Sequence, residues 1–397
     1  MRAPCLVLVA AFAVSPAIAA QHASGAFVVT LGRDTVAVER FSRTAERLEA
    51  DAILRDRAPV VHRHFVATFD PNGTVTRFEL ANRPAGQPNA KPLLAVALTF
   101  RGDTAVLQLS SPPPRGDTTL RVVAPRGVPF VGYSYAIVEL FLLRLPASGD
   151  AKVTMPMITI ANGATYPTEV SRLGRDSAVF DWLGGPTHLR IDAQGSVLGA
   201  DASLTTVKVR GTRLPDVDLA AVESRFANRP LGELSPADSV RAAIAGTTIA
   251  VDYSRPSMRG RRIFGADPVP WNKVWRTGAN FATRFTTSAD LVIGRQTVPA
   301  GTYTLWTLPS PTGWKLILNH QTKAPCTDAA SCANPQRLNL WGTEYDADSD
   351  FVRVDMRTET LSQPVEQFVI HVVPWEAGGI LKLEWEMTRA WVAFTRK

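Results

Sequence analysis

VVHRHFVATFDPNGTVTRFELA, residues 60–81, is two runs of alternating apolar and polar residues hinged on Asp70-Pro71-Asn72-Gly73. Alternation at period two puts successive side chains on opposite faces of a strand, so each run has one face to bury. Gly supplies positive φ in a tight turn and Asp bonds back to the turn amides, so the pair reads as a hairpin. The hinge recurs as Asp192-Ala193-Gln194-Gly195-Ser196-Val197, and a second corner, Leu31-Gly32-Arg33-Asp34-Thr35, returns as Leu173-Gly174-Arg175-Asp176-Ser177. Their order hints at two related meander halves, with spacing too unequal for a plain duplication.

Outward from that hairpin the same pattern continues through TVAVERFS (35–42), AVALTF (95–100), AVLQLS (105–110), KVTMPMITI (152–160), THLRIDA (187–193) and TTVKVR (205–210). One segment breaks it. SYAIVELFLLRLP, Ser134 to Pro146, is apolar on all faces, opens on a capping Ser and stops before Pro, so it predicts a buried helix. A helix filling the concave side of a curved antiparallel sheet is an arrangement that vaguely resembles the half-barrel of periplasmic lipoprotein carriers, a likeness of architecture alone.

Between Leu214 and Pro236 alternation stops, and a short helix fits Val217 to Arg225. Beyond it strands resume: SVRAAI and TTIAVDYS about Ala245-Gly246, then TVPAGTYTLWTLP, WKLILN, FVRVDM, EQFVIHVVP, ILKLEWEM and AWVAFTR. In ILKLEWEM the apolar face is Leu381, Leu383, Trp385 and Met387, with Lys382, Glu384 and Glu386 opposite. The fold expected is mainly β in two antiparallel domains: a curved meander with one buried helix over 21–213, a joint at 214–236, and a β-sandwich over 237–397. A chain of 397 residues exceeds one ordinary core, which agrees with two. Each flank of the joint holds enough strands to fold independently.

The second part carries an ordered set of motifs. These are Tyr253-Ser254-Arg255-Pro256, Gly260-Arg261, Ile263-Phe264-Gly265, Val274-Trp275-Arg276-Thr277-Gly278-Ala279-Asn280, Pro299-Ala300-Gly301-Thr302-Tyr303, Trp314 with Asn319, Trp341-Gly342 and Leu383-Glu384-Trp385. From about residue 235 to 397 the chain resembles the bacterial family called domain of unknown function 2911. That resemblance implies an exported β-rich domain and names no reaction. Family members resemble NxxTxxWGTxYD at Asn319 to Asp346, whereas KAPCTDAASCANPQRLNL stands before Trp341 here as an insertion.

The opening, MRAPCLVLVAAFAVSPAIAAQHA, has an arginine, an apolar stretch and a small-residue exit, which reads as a signal peptide over 1–20 cleaved near Ala19 or Ala20. Its apolar run is too short to span a bilayer, so no integral membrane segment is expected after cleavage, and the mature chain is expected in the periplasm or secreted. Cys326 and Cys332 then remain, and an oxidising compartment favours a disulfide over a zinc knuckle, which would want a nearby His. The formal net charge is +7, with arginines scattered among acids and no nucleic-acid module, so a solvated basic surface and no nucleic-acid partner are expected.

Chemistry concentrates in YSRPSMRGRRIFGADPVPWNKVWRTGAN, 253–280, which holds five arginines. Two readings stand. Arg side chains brace loop carbonyls and pair with acids, or Arg255, Arg261 and Arg276 converge with Asn280 and an indole from Trp271 or Trp275 on an anion, with Asn319 and His320 bordering the place. Gly132-Tyr133-Ser134-Tyr135-Ala136 has the outline of a nucleophile elbow, but hairpins surround it, so Ser134 reads as a helix cap, and Asp181 and His188 share one hairpin. His62 and His64 share a strand face without further ligands, which suits an exposed polar face and not a metal site. Glu384 and Glu386 fit a solvated strand edge better than glycosidase carboxylates. No metal or cofactor is expected. The function expected is an exported, non-enzymatic protein binding a small molecule, glycan or envelope component of anionic kind. A hydrolase acting on glycans or esters and an assembly role in the envelope are the alternatives.

Overall fold

The computed structural model describes residues 23–145, 151–182, 184–323 and 339–397. The segment read as a signal peptide, 1–20, and the two cysteines expected to pair, Cys326 and Cys332, lie outside these residues. The protein is mainly β, in two antiparallel sheets with two α-helices among the described residues.

The N-terminal sheet has fifteen strands. Eight run in simple succession from Ala23–Leu31 out to the edge strand Thr118–Val123, and seven run from Arg210–Leu214 back to the other edge, Val128–Phe130. The fans join where Ala23–Leu31 pairs antiparallel with Arg210–Leu214, and among the described strands of this sheet one pairing is parallel, Val128–Phe130 against Met157–Thr159. The repeated corner has the same chemistry at both places. Asp70 Oδ1 accepts from Asn72 N at 2.9 Å and Thr74 N at 2.8 Å, and Asp192 Oδ1 accepts from Gln194 N at 3.0 Å and Ser196 N at 2.8 Å.

Helix α1, Tyr135–Leu142, starts at Ser134, whose hydroxyl accepts from Ile137 N at 3.2 Å. All eight of its residues are buried, and Phe141 meets Phe180 edge-on at 5.0 Å. The fit is close: a Cβ at Gly211 would fall 2.3 Å from Tyr135 Cε2, so the opposite strand must carry Gly there. One polar residue rides inward with the helix. Glu139 is 0% exposed and takes bonds from Arg43 Nη1 at 2.9 Å, Arg213 Nη1 at 2.5 Å and Val197 N at 2.9 Å. Nearby Glu39, also 0% exposed, accepts from Ala136 N at 3.2 Å, leaves its Oε1 without a partner, and is raised by burial to about 7.

Helix α2, Leu219–Phe226, lies in the joint, capped by Asp218, and packs Leu219 and Phe226 on Val38, Ile53 and Val60. Glu223 on α2 takes a bond from Gly86 N at 2.7 Å and meets His62 Nδ1 at 3.1 Å. His62 and His64 are therefore half-buried members of a cluster about Asp51, at 3.2 and 2.9 Å, and not the exposed polar face expected.

The C-terminal sheet has nine strands and ends in a hairpin of two long strands, Asp350–Trp375 and Gly378–Arg396. Register shifts between Thr360 and Val369 bend this ribbon, so that Trp375 near its turn meets Trp391 at 6.0 Å. The sheet thereby folds over one core, shared by Ile249, Phe285 and Leu316 from its first strands and Ile370, Leu383 and Phe394 from the ribbon. Leu381, Leu383 and Trp385 are each 2% exposed, but Met387 is 37% exposed. The alternation is cut at Glu386, which sits at φ 54° and accepts from Ile263 N at 3.3 Å and Phe264 N at 3.2 Å. Glu386 is thus a brace for the arginine-rich loop, and Glu384 pairs with Arg389; neither is a solvated edge.

Candidate functional site

The arginine-rich segment links two neighbouring strands, Thr247–Ser254 and Thr283–Thr287, and its arginines divide by what they touch. Arg255 Nε donates to Phe368 O at 3.1 Å, and its Nη1 stands 3.4 Å from Asp238. Arg261 donates to Met258 O at 2.9 Å and Ser257 O at 2.7 Å. Arg259 crosses to the N-terminal sheet, where it meets Asp34 Oδ2 at 2.7 Å while its carbonyl accepts from Arg33 N at 3.1 Å. These three do bracing work. Arg276 does not: among the described residues its guanidinium has no hydrogen bond or ion pair, and its Nε is buried without a partner.

Arg276 is held in place by its surroundings. Residues 340–342 run against 280–282, with Ala282 N on Leu340 O at 2.9 Å and Gly342 N on Asn280 O at 3.0 Å. A Cβ at Gly342 would fall 1.9 Å from Arg276 Cδ, so the Trp341-Gly342 motif lies across the arginine stem and needs its glycine. Thr277 at φ 53° and Asn280 at φ 59° are both left-handed. For a β-branched Thr this is a strained backbone, costing on the order of 1–3 kcal/mol. It is stabilised by a buried set: Thr277 Oγ1 on Thr307 Oγ1 at 3.1 Å and Thr283 Oγ1 on Thr277 O at 2.7 Å.

The guanidinium faces a cleft of about 590 Å³ between the two sheets, within the usual range of small-molecule sites. The N-terminal sheet contributes Asp56, Arg57, Tyr133 and Lys208, the joint contributes Glu233, Leu234 and Ser235, and the C-terminal part contributes Arg261, Trp275, Arg276, Asn280, Trp341 and Trp385. Lys208 Nζ donates to Ser203 O at 3.0 Å and to Asp267 O at 3.1 Å, and no carboxylate among the described residues pairs with it. Burial pushes it down to about 8, helped by Arg276 and Arg261. Burial alone pushes Arg276 down to about 10. Trp341 Nε1 is a second buried donor without a partner. Cations and an indole N–H thus line one wall with too few acceptors, and unmet buried donors are costly to leave so.

Of the residues singled out in the sequence, Arg261, Trp275, Arg276 and Asn280 line the cleft. Trp275 does so by one edge only. Its ring is 7% exposed, stacks on Trp385 at 5.8 Å and donates to Gly278 O at 3.1 Å, which makes it a core side chain. Arg255 is outside the lining, and so is Asn319, which is fully buried and donates to Asp346 O at 2.7 Å and Asp350 Oδ1 at 3.0 Å. His320 packs on Phe351 at 4.6 Å, away from the cleft lining. No group of His, Cys, Asp and Glu among the described residues has the geometry to hold a metal.

Lys208 and Trp341 were not singled out as ligand groups in the sequence. TTVKVR reads as a strand, but residues 202–208 form a loop and Lys208 takes φ 54°, the strand beginning only at Arg210. That turn is what swings the ammonium into the cleft.

Residues 235–394 match the family described as "Protein of unknown function (DUF2911)". The matched part supplies Arg276 and its clamp, while Lys208 and Arg57 come from outside it. No curated protein matches the chain. Among solved structures, a DUF1089 family protein from Pseudomonas aeruginosa is similar at 14% identity, covering 42% of this chain and 89% of that one with a TM-score of 0.28. A beta-barrel-like protein of the DUF1849 domain of unknown function from Brucella abortus is similar at 13% identity, covering 49% and 96% with a TM-score of 0.31. No helix among the described residues is long and apolar enough to cross a membrane.

Proposed function

We propose that this is an exported, non-enzymatic protein of the cell envelope or its exterior that binds a small anionic ligand in the cleft between its two sheets. The carrying observation is Arg276, a clamped guanidinium with no acceptor among the described residues, facing a cleft that also holds the ammonium of Lys208, bonded there to two carbonyls. A planar guanidinium grips a carboxylate, sulfate or phosphate through two parallel hydrogen bonds, and an anion in this place would satisfy Arg276, Lys208 and Trp341 together. Binding asks nothing further of the lining. Of the two acids in the lining, Asp56 and Glu233, Asp56 is already held by Arg57 Nε at 3.0 Å and Nη2 at 2.8 Å, which leaves a hydrolytic reading Glu233 alone.

Calorimetric titration of the full chain with sulfate, phosphate and glucuronate tests this. At least one of them binds the parent, and Arg276→Met loses at least tenfold in affinity. Undiminished binding by Arg276→Met would overturn the reading. Affinity also falls as pH rises through about 8, because Lys208 is protonated below that value and neutral above it. Export is tested by the mass of protein secreted from its own cells, which begins near Ala20 or Gln21.

A further inference from the structure

We infer that the cleft and an adjoining pocket form one groove for a linear acidic oligosaccharide bearing at least two acid groups, one at Arg276 and one at Arg262. This rests on the anion-binding reading of the cleft. The adjoining pocket, of about 290 Å³, shares Lys208, Arg261 and Pro268 with the cleft and adds Arg262, Thr30 and Ser203. Arg262 is exposed and, among the described residues, has no hydrogen bond or ion pair, unlike Arg255, Arg259 and Arg261 in the same loop. The two arginines without partners therefore stand one in each compartment, with Lys208 on the wall between them.

The rest of the lining selects among anions. Glu233 is an exposed acid of the cleft lining, while Asp56 is paired with Arg57. A densely charged chain such as polyphosphate would be repelled by Glu233, whereas sugar hydroxyls donate to a carboxylate. Ser235, Ser257 and Asn280 add short polar groups along the same wall. Trp341, set edge-on against the 41% exposed Phe281 at 5.0 Å, gives an aromatic surface of the kind on which the flat face of a pyranose stacks. Sparse charge, many hydroxyls and a flat apolar face together describe an acidic sugar chain.

The test is calorimetry on the full chain with galacturonate, guluronate and a sulfated hexosamine, each as monosaccharide and as tetrasaccharide, with tripolyphosphate for comparison. At least one tetrasaccharide binds tenfold or more tighter than its monosaccharide, and tighter than tripolyphosphate. Arg262→Gln brings that tetrasaccharide to within about threefold of its monosaccharide and leaves the monosaccharide unchanged. Equal affinity of chain and unit throughout, tighter binding of tripolyphosphate, or an Arg262→Gln protein that still prefers the tetrasaccharide by tenfold would each overturn the inference. Retained binding of a monosaccharide that depends on Arg276 leaves the anion site standing in any of these cases. Loss of that dependence overturns both.

Discussion

Glu139 and Arg276 are both charges carried inward, and they are treated in opposite ways. Glu139, on the helix inside the N-terminal sheet, meets two guanidiniums and a backbone N–H, so its charge is answered from within the fold. Arg276 has no answering group among the described residues, although Asp238 and Asp34 reach Arg255 and Arg259 of the same loop. A charge whose partners are built in belongs to stability, since breaking such a set strands the remainder. On the proposed reading, one held rigid without a partner is left for a group from outside.

The contrast can be broken most heavily at Glu139. Glu139→Ala leaves Arg43 and Arg213, whose side chains are 10% and 16% exposed, facing no anion. The expected loss is about 3–5 kcal/mol, read by urea unfolding. Glu39 sharpens it with pH. Burial raises its folded value to about 7 from 4.5, so the unfolded chain releases its proton first. Stability is full below pH 4.5, falls between 4.5 and 7, and is level above, for a change on the order of 3 kcal/mol. Glu39→Gln removes that slope, and unfolding curves of parent and variant separate with rising pH. If the two run parallel from pH 4 to 8, the buried acid is answered by a group not seen here.

Smaller effects separate the arginines. Arg255→Lys keeps the charge but loses the fork that reaches Phe368 O and Asp238 together, and costs about 1–2 kcal/mol in thermal stability with no change in ligand affinity. Arg276→Met has the smallest effect on folding, within about 1 kcal/mol of the parent and in either direction, because it removes a desolvated charge along with some packing. A large drop in the melting temperature of Arg276→Met would erase the distinction drawn between the two charges.

Much of the fold was legible in the residues. The hairpin at 60–81, its echo at 192–197 and the uniformly apolar helix after Ser134 depend on local rules of period, turn and cap, and those rules act within a few residues. What was not legible depended on where other groups come to lie in space, or on a single backbone angle. Arg255, Arg261 and Arg276 look alike in sequence, and only the placement of Asp238, Met258 O and Gly342 sorts braces from the free cation. Lys208 hides in an alternating run, because a single left-handed residue leaves no mark in a pattern of T, V and K. Met387 fails to follow Trp385 inward because Glu386 turns to cap the amides of Ile263 and Phe264, more than a hundred residues earlier.

If the cleft takes the proposed anion, the glycine at 342 bears on the entropy of holding it. A free arginine side chain samples many rotamers, and freezing one on contact costs roughly 2 kcal/mol of entropy. Trp341-Gly342 lies against the stem of Arg276 before any ligand arrives, so that ordering is completed during folding and is absent from the binding step. Gly342→Ala would force the stem aside, and its signature would be calorimetric: a less favourable binding entropy, with the same groups still available to touch the ligand.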